Sequence, residues 1–148
     1  MKDGQYPDVV DPQLVGTYSP SAKAGGGYVW DAVLEYRVWC HPEHGSPDLA
    51  DGSDYYYPFV TYQEALAFSE ETPGAEDPLA LIVQDEYIDE PEDGRFIHVR
   101  EKRVAEWPAT FLLRPRRTSR TLPDFFSPDA PSNRLDILRG LVPSSPGE

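Results

Sequence analysis

The chain has 148 residues, is 39% apolar and carries a formal net charge of −13. A chain of this length folds as one domain and buries about 70% of its unfolded surface, so no disulfide or metal is required as a staple. One cysteine, Cys40, excludes an internal disulfide, and the acidic field repels nucleic acid and anionic membrane from most of the surface.

The 11 glycines and 16 prolines point to an ordinary core with irregular ends. Met1 to Pro12 has no apolar stretch of signal-peptide length. The longest apolar run, Leu79 to Val83, is far short of a membrane span. A soluble protein of a reducing cytoplasm, with no membrane partner, is the expectation. Charge is also unevenly placed. From Val38 to Gly94 there are 15 Asp or Glu and no Lys or Arg. From Arg95 to Arg120 there are eight Lys or Arg and only two acids, Glu101 and Glu106.

Residues 1–27, with Pro7, Pro12, Pro20 and the triplet Gly25-Gly26-Gly27, read as a flexible arm ending in a hinge. Tyr28 to Trp39 alternates with period two. Trp30, Ala32, Leu34, Tyr36 and Val38 share one face, and Asp31, Val33, Glu35 and Arg37 the other, which predicts a strand. Cys40 to Asp54 is a loop. Tyr55 to Val60 is a short strand that Pro58 confines to an edge. Thr61 and Glu64 form a capping box that opens a helix from Tyr62 to about Glu71, ended by Pro73-Gly74.

Leu79 to Tyr87 and Arg95 to Trp107 read as two further strands, the latter broken near Glu101-Lys102. The turn Pro91-Glu92-Asp93-Gly94 joins them as an antiparallel hairpin, with Asp85-Glu86 near basic residues of the next strand. Thr110 to Leu113 reads as extended. Residues 116–148 form a Pro- and Ser-rich tail with one short helix near 133–140, whose Leu135, Leu138 and Leu141 could dock on the body. The whole predicts an α+β domain over residues 28–115: a small, mostly antiparallel sheet with one helix packed on a face, between irregular Pro/Gly-rich termini.

Three groups of residues bear on chemistry. Cys40, His41 and His44 cluster in one loop with Asp48, Asp51 and Asp54 following, and these are zinc-ligand types. The same loop also reads as a polar segment whose imidazoles cap backbone groups. Cys40 beside His41, or with His98, is a possible nucleophile pair, against a small thiol at a strand end. Tyr55, Tyr56 and Tyr57 cannot all face inward from a strand, so at least one is exposed and suited to a ligand or partner. Arg114, Arg116 and Arg117 could bind an anion such as phosphate, or could neutralise this protein's own acids. Acid pairs such as Asp85-Glu86 read as a solvated rim, since a carboxylate dyad needs a cleft. Gly94 to Val99 is faintly like an RNA-binding strand, without its second glycine and final aromatic.

Several segments resemble a group of small bacterial proteins. They are Tyr36-Arg37-Val38-Trp39-Cys40-His41-Pro42, Asp51-Gly52-Ser53-Asp54-Tyr55-Tyr56-Tyr57, Thr61 to Ser69, Pro78-Leu79-Ala80-Leu81, Glu106-Trp107-Pro108 and Asn133 to Gly140. The resemblance spans about residues 28–141, and some members carry the label of a GNAT-type acetyltransferase. It implies acetyl-CoA as cofactor and a splayed pair of parallel strands opening onto a helix N-terminus. The family's glycine-containing pyrophosphate turn has no match at Gly25-Gly26-Gly27, at Arg114 to Thr118, or before Thr61, so no residue carries over as cofactor-binding. The residues themselves point first to a non-catalytic protein without a cofactor, recognising a protein partner or a small ligand. The alternative is a divergent acetyl-CoA-dependent acyltransferase.

Overall fold

The computed structural model of the chain describes residues 6–141. In chain order its strands are β1 (Lys23–Ala24), β2 (Ala32–Cys40), β3 (Tyr55–Phe59), β4 (Leu79–Gln84), β5 (Tyr87–Glu92), β6 (Arg95–Val99) and β7 (Arg103–Pro108). Its α-helices are α1 (Tyr62–Glu71), α2 (Thr121–Phe125) and α3 (Arg134–Leu138). The main sheet runs β1-β7-β4-β2-β3, and β5-β6 is a separate two-stranded ribbon. Along β7, β4, β2 and β3 each strand is antiparallel to its neighbour, and β1 joins β7 in parallel. This is the expected α+β class, with α1 packed on one face of the sheet.

The local signals act where the chain places them. Thr61 accepts from the Glu64 N–H at 3.1 Å, and its hydroxyl meets the Glu64 carboxylate at 3.2 Å, so the capping pair closes hydroxyl to carboxylate. The helix buries Ala65 and rests Tyr62 and Phe68 against the core. On β2 the expected alternation is interrupted. The register slips between Val33 and Glu35, and such a bulge inserts one unpaired residue. Val33 therefore turns to the side of Tyr36 and Val38 and joins the core, instead of sharing a face with Glu35 and Arg37.

The apolar interior is two clusters. The first lies on the α1 face of the sheet and includes Trp30, Val33, Tyr36, Ile82, Ala105 and Trp107. The second joins the β5-β6 ribbon to the C-terminal segment through Val29, Ile88, Leu122, Phe125 and Leu138. The long strand expected over Leu79 to Tyr87 is divided at Asp85-Glu86, which frees the ribbon from the sheet to cover this second cluster. The turn between β5 and β6 is tighter than the sequence suggests: Pro91 and Glu92 stay in β5 and Asp93-Gly94 make the turn, with Gly94 at φ +81 and its N–H donating to Glu90 at 2.9 Å. The break after β6 falls at residues 100–102. Glu86 meets His98 at 2.6 Å and Arg117 at 3.6 Å, and Asp85 turns its N–H to the Asp31 carboxylate.

The opposite face of the sheet carries a charge network. Glu35 and Arg37 have no exposed surface, and Arg37 bonds Glu35 at 2.7 Å and Glu106 at 2.9 Å. Trp39 also donates to Glu106 at 2.9 Å, and the Tyr56 ring lies under the guanidinium, 4.5 Å from centroid to Cζ. Burial opposes the Arg37 charge, but the hydrogen bonds to Glu35 and Glu106 outweigh it and hold its pKa above the ordinary value.

What covers this network is the N-terminal segment. Val9 is buried and bridges Val33, and the Val10 N–H bonds the Val33 carbonyl at 2.8 Å. The chain then crosses the charged face. The Gly16 N–H donates to Glu35 at 2.8 Å, and Arg37 donates to the Ser19 carbonyl at 2.6 Å. It ends as β1 beside β7, at the far edge of the sheet. Residues 6–27 are thus packed along the sheet. The rest of the expected N-terminal arm, residues 1–5, lies outside the described residues, as do 142–148 of the tail.

Three local readings need correction. Thr110 to Leu113, expected as extended, belongs to a 3-10 helix Ala109–Leu113 that buries Ala109 and Leu112. Helix α2, unforeseen in the tail, buries Leu122 and Phe125. Leu135 and Leu138 dock as expected, but Leu141 is exposed. Tertiary packing decides these short elements, which are too brief to hold themselves: the 3-10 helix packs on the first cluster, and α2 and α3 on the second beside the ribbon.

Replacing Arg37 with Met should cost about 3–5 kcal/mol, because Glu35 is left buried and unpaired. Arg120→Ala, which breaks an exposed pair with Asp124 at 3.3 Å, should change stability by less than about 1 kcal/mol. Urea unfolding monitored by tryptophan fluorescence measures both.

Candidate functional site

The cleft with most chemistry lies where the two apolar clusters meet. Its volume is about 690 Å³, within the usual range of small-molecule sites. Trp107, Phe111 and Arg114 form one wall, from β7 and the 3-10 helix that follows it. Tyr87, Ile88, Asp89 and Glu90 of β5 form the other. Gly26, Gly27 and Tyr28 make the floor, with Lys23, Arg103 and Arg139 around it.

The floor is an unusual piece of backbone. Gly25, Gly26, Gly27 and Tyr28 all have positive φ, from +64 to +85. The last is costly for a side-chain-bearing residue, by about 1–2 kcal/mol. The loop is held from beneath by its carbonyls. Gln84, fully buried, donates to the Gly26 and Val29 carbonyls at 3.0 and 2.8 Å. Trp107 donates to the Gly26 carbonyl at 2.9 Å, and Arg103 to the Gly25 carbonyl at 2.8 Å and to Gln84 at 2.9 Å. A Cβ at Gly27 would stand 2.2 Å from Gln84 Nε2, so only glycine fits there.

Four cations line this cleft, Lys23, Arg103, Arg114 and Arg139. Among the described residues no carboxylate lies within 4.0 Å of any of their nitrogens. Arg114 instead lies over Phe111, 3.8 Å from the ring centroid, and beside Trp107 at 5.9 Å. Burial, and then the like charge of Arg139, hold its pKa below the ordinary value. The two arginines are brought together by Gly140. A Cβ there would meet Pro115 Cδ at 2.9 Å and Arg114 Cα at 3.7 Å, so the C-terminal chain runs directly against the Arg114 segment. The two carboxylates of the cleft stand on β5. Glu90 accepts from the Tyr28 hydroxyl and the Gly94 N–H, which together with the Arg139 charge lower its pKa, and Asp89 is exposed.

The other predicted site residues are dispersed. Tyr55, Tyr56 and Tyr57 stand on β3, at the sheet edge opposite β1. Tyr55 donates to the Pro47 carbonyl at 2.7 Å, Tyr56 serves the Arg37 network, and Tyr57, 40% exposed, packs on Phe68 at 5.1 Å. Arg116 lies over Trp30 at 5.5 Å and donates to the Asp31 carbonyl, and Arg117 pairs with Asp31 at 2.7 Å. Of the three arginines, Arg114 alone reaches the cleft. Lys23, Arg103 and Arg139 come from separate segments, and only the glycine triplet and the excess of Arg after residue 95 hinted at them.

Cys40, His41 and His44 do not converge. Cys40 is buried, its thiol 4.0 Å from the Val38 carbonyl, and burial raises its pKa. His41 is held between Asp54, at 2.9 Å, and Glu76, while its ring is 5.4 Å from that of His44. Among the described residues no group of three or more His, Cys, Asp or Glu is arranged to hold a metal ion. Hydrogen bonds with Asp54 and Glu76 favour the imidazolium and raise the His41 pKa against the opposing effect of burial. Stabilisation from a raised pKa is complete below the unfolded value of about 6.5 and fades as pH climbs through the folded one. The stability difference between the natural protein and His41→Gln should therefore shrink from about pH 6 to pH 8 in urea titrations. A difference that grows over that range would contradict the assignment.

No helix of the described residues is long and apolar enough to cross a membrane. Compared with protein-family models, with curated proteins and with solved structures, the chain matches none. Its likeness to the acetyltransferase-labelled group rests on the sequence segments alone.

Proposed function

We propose that this protein is a non-catalytic receptor for a small anionic ligand, taken up in the cleft between the sheet and the β5-β6 ribbon. One observation carries the reading. Arg114 and Arg139 line one cleft, and among the described residues neither has a carboxylate within 4.0 Å, in a chain that holds 26 of them. Two guanidiniums in a partly desolvated cleft repel each other, and an anion between them relieves that repulsion. Charge also guides arrival: the overall field is negative, so a local positive cleft distinguishes a small anion from a nucleic acid or an anionic membrane.

Support for a binding role over catalysis comes from the side chains. The cleft is lined by permanently charged arginines and by aromatic rings, while Cys40, His41 and His44 lie elsewhere. Acetyl-CoA, the cofactor implied by the resemblance, is itself an anion and belongs in the same trial. Its expected frame of splayed parallel strands has no counterpart among the described residues. The parallel contacts are β1 with β7 and Val9 with Val33, and α1 follows the antiparallel β3.

Thermal-shift titration with acetate, sulfate, inorganic phosphate and acetyl-CoA tests the reading. A saturating anion should stabilise by about 2.7 kcal/mol at a hundredfold its dissociation constant, a shift of several degrees. The shift should be lost in Arg114→Gln. A flat response to all four would overturn it, and a shift with acetyl-CoA alone would favour the acyltransferase.

A further inference from the structure

We propose that the anion recognised by this cleft is the phosphoryl group of a small phosphate monoester; this rests on the anion-binding reading above. The argument is one of charge number and donor geometry. A phosphate monoester carries about −1.5 to −2 charges at pH 7 and offers three acceptor oxygens. A carboxylate offers one charge and two oxygens. The cleft carries four cations, Lys23, Arg103, Arg114 and Arg139, against the two carboxylates of Asp89 and Glu90. Such an excess of positive charge suits a dianion better than a monoanion.

The arginines are also set to use their edges. With Phe111 against the face of Arg114 at 3.8 Å, its N–H groups, which lie in the guanidinium plane, remain free of the ring. Arg139 lies 5.5 Å from the Tyr28 ring centroid and also reaches the Tyr28 hydroxyl. A planar fork fixed by stacking and still free to donate, with a second guanidinium in the same cleft, is the arrangement that grips a tetrahedral oxyanion bidentately. Arg103 is different. Its nitrogens Nη1 and Nη2 are spent on Gln84 and Gly25, so it shapes the floor and contributes charge. Asp89 and Glu90 limit the choice from the other side. They repel an extended polyanion along β5, so the phosphoryl group is a single terminal one.

Isothermal titration calorimetry on the full chain tests this with inorganic phosphate, glycerol 3-phosphate, the monoanionic diester dimethyl phosphate, and acetate. Glycerol 3-phosphate should bind about tenfold or more tightly than dimethyl phosphate and acetate. Arg114→Lys, which keeps the charge and loses the fork, should weaken it about fivefold or more. Arg139→Gln should do the same, with near-UV circular dichroism confirming the native packing of each variant. Lys23→Gln, at an exposed position, should weaken it only about twofold.

Acetate binding as tightly as the ester, with both lost in Arg139→Gln, would overturn the phosphate assignment and leave the anion site standing. Ester binding untouched by the arginine variants would overturn the location. No heat with any of the four would overturn the phosphate assignment and the anion-site reading together.

Discussion

Arg37 is the hinge of the architecture. It is charged, fully buried and central in the sheet, so every group around it is there to satisfy it. Glu35, Glu106, the Ser19 carbonyl and the Tyr56 ring reach it from four parts of the chain. A buried ion group adds little net stability, because desolvation consumes most of the attraction, but losing any partner is expensive. The network therefore acts mainly as a specification. It states which stretch of the N-terminal segment must lie over which strands. Leu81 stands between Glu35 and Glu106 in the strand register, so the central strand gives this face its apolar filler.

That specification reaches the cleft by covalent connection. Once Ser19 is fixed over Arg37, β1 arrives beside β7, and the chain must turn back within a few residues to reach β2. The four left-handed residues Gly25 to Tyr28 make that turn. Their carbonyls are taken by Gln84, Arg103 and Trp107, and the cleft floor results. Two positions thus share the work of one site: a network on one face of the sheet sets the path, and the glycine loop on the other face uses it.

Much of this was legible because it depends on neighbours in sequence. The capping pair Thr61 and Glu64, the Gly94 turn, the edge strand with Pro58 and the break near Lys102 are all local signals. The bulge on β2 was not legible. Nothing in Val33-Leu34-Glu35 announces an extra residue, and the consequence, Val33 in the core, follows only from pairing with β4. The burial of the charged face was not legible either, because alternation records which residues share a side and not what covers it. The site was legible only in Arg114, since its other cations belong to residues 23, 103 and 139, which come together through packing.

The parallel strand β1 also has a bearing on how the chain comes to be folded. Its partner is β7, so Lys23 waits for Ala105. As the chain leaves the ribosome, β2, β3 and α1 can assemble early from adjacent segments and Val9 can bridge Val33, while β1 has no edge to join. Glu106 arrives equally late, so Arg37 must stay hydrated until some three-quarters of the chain exists. Long-range closure of this kind slows folding, since the chain entropy is lost before the contacts repay it. Strand β1 thus finds its place late, and the cleft, which needs residue 139 as well, is complete only once α3 has followed.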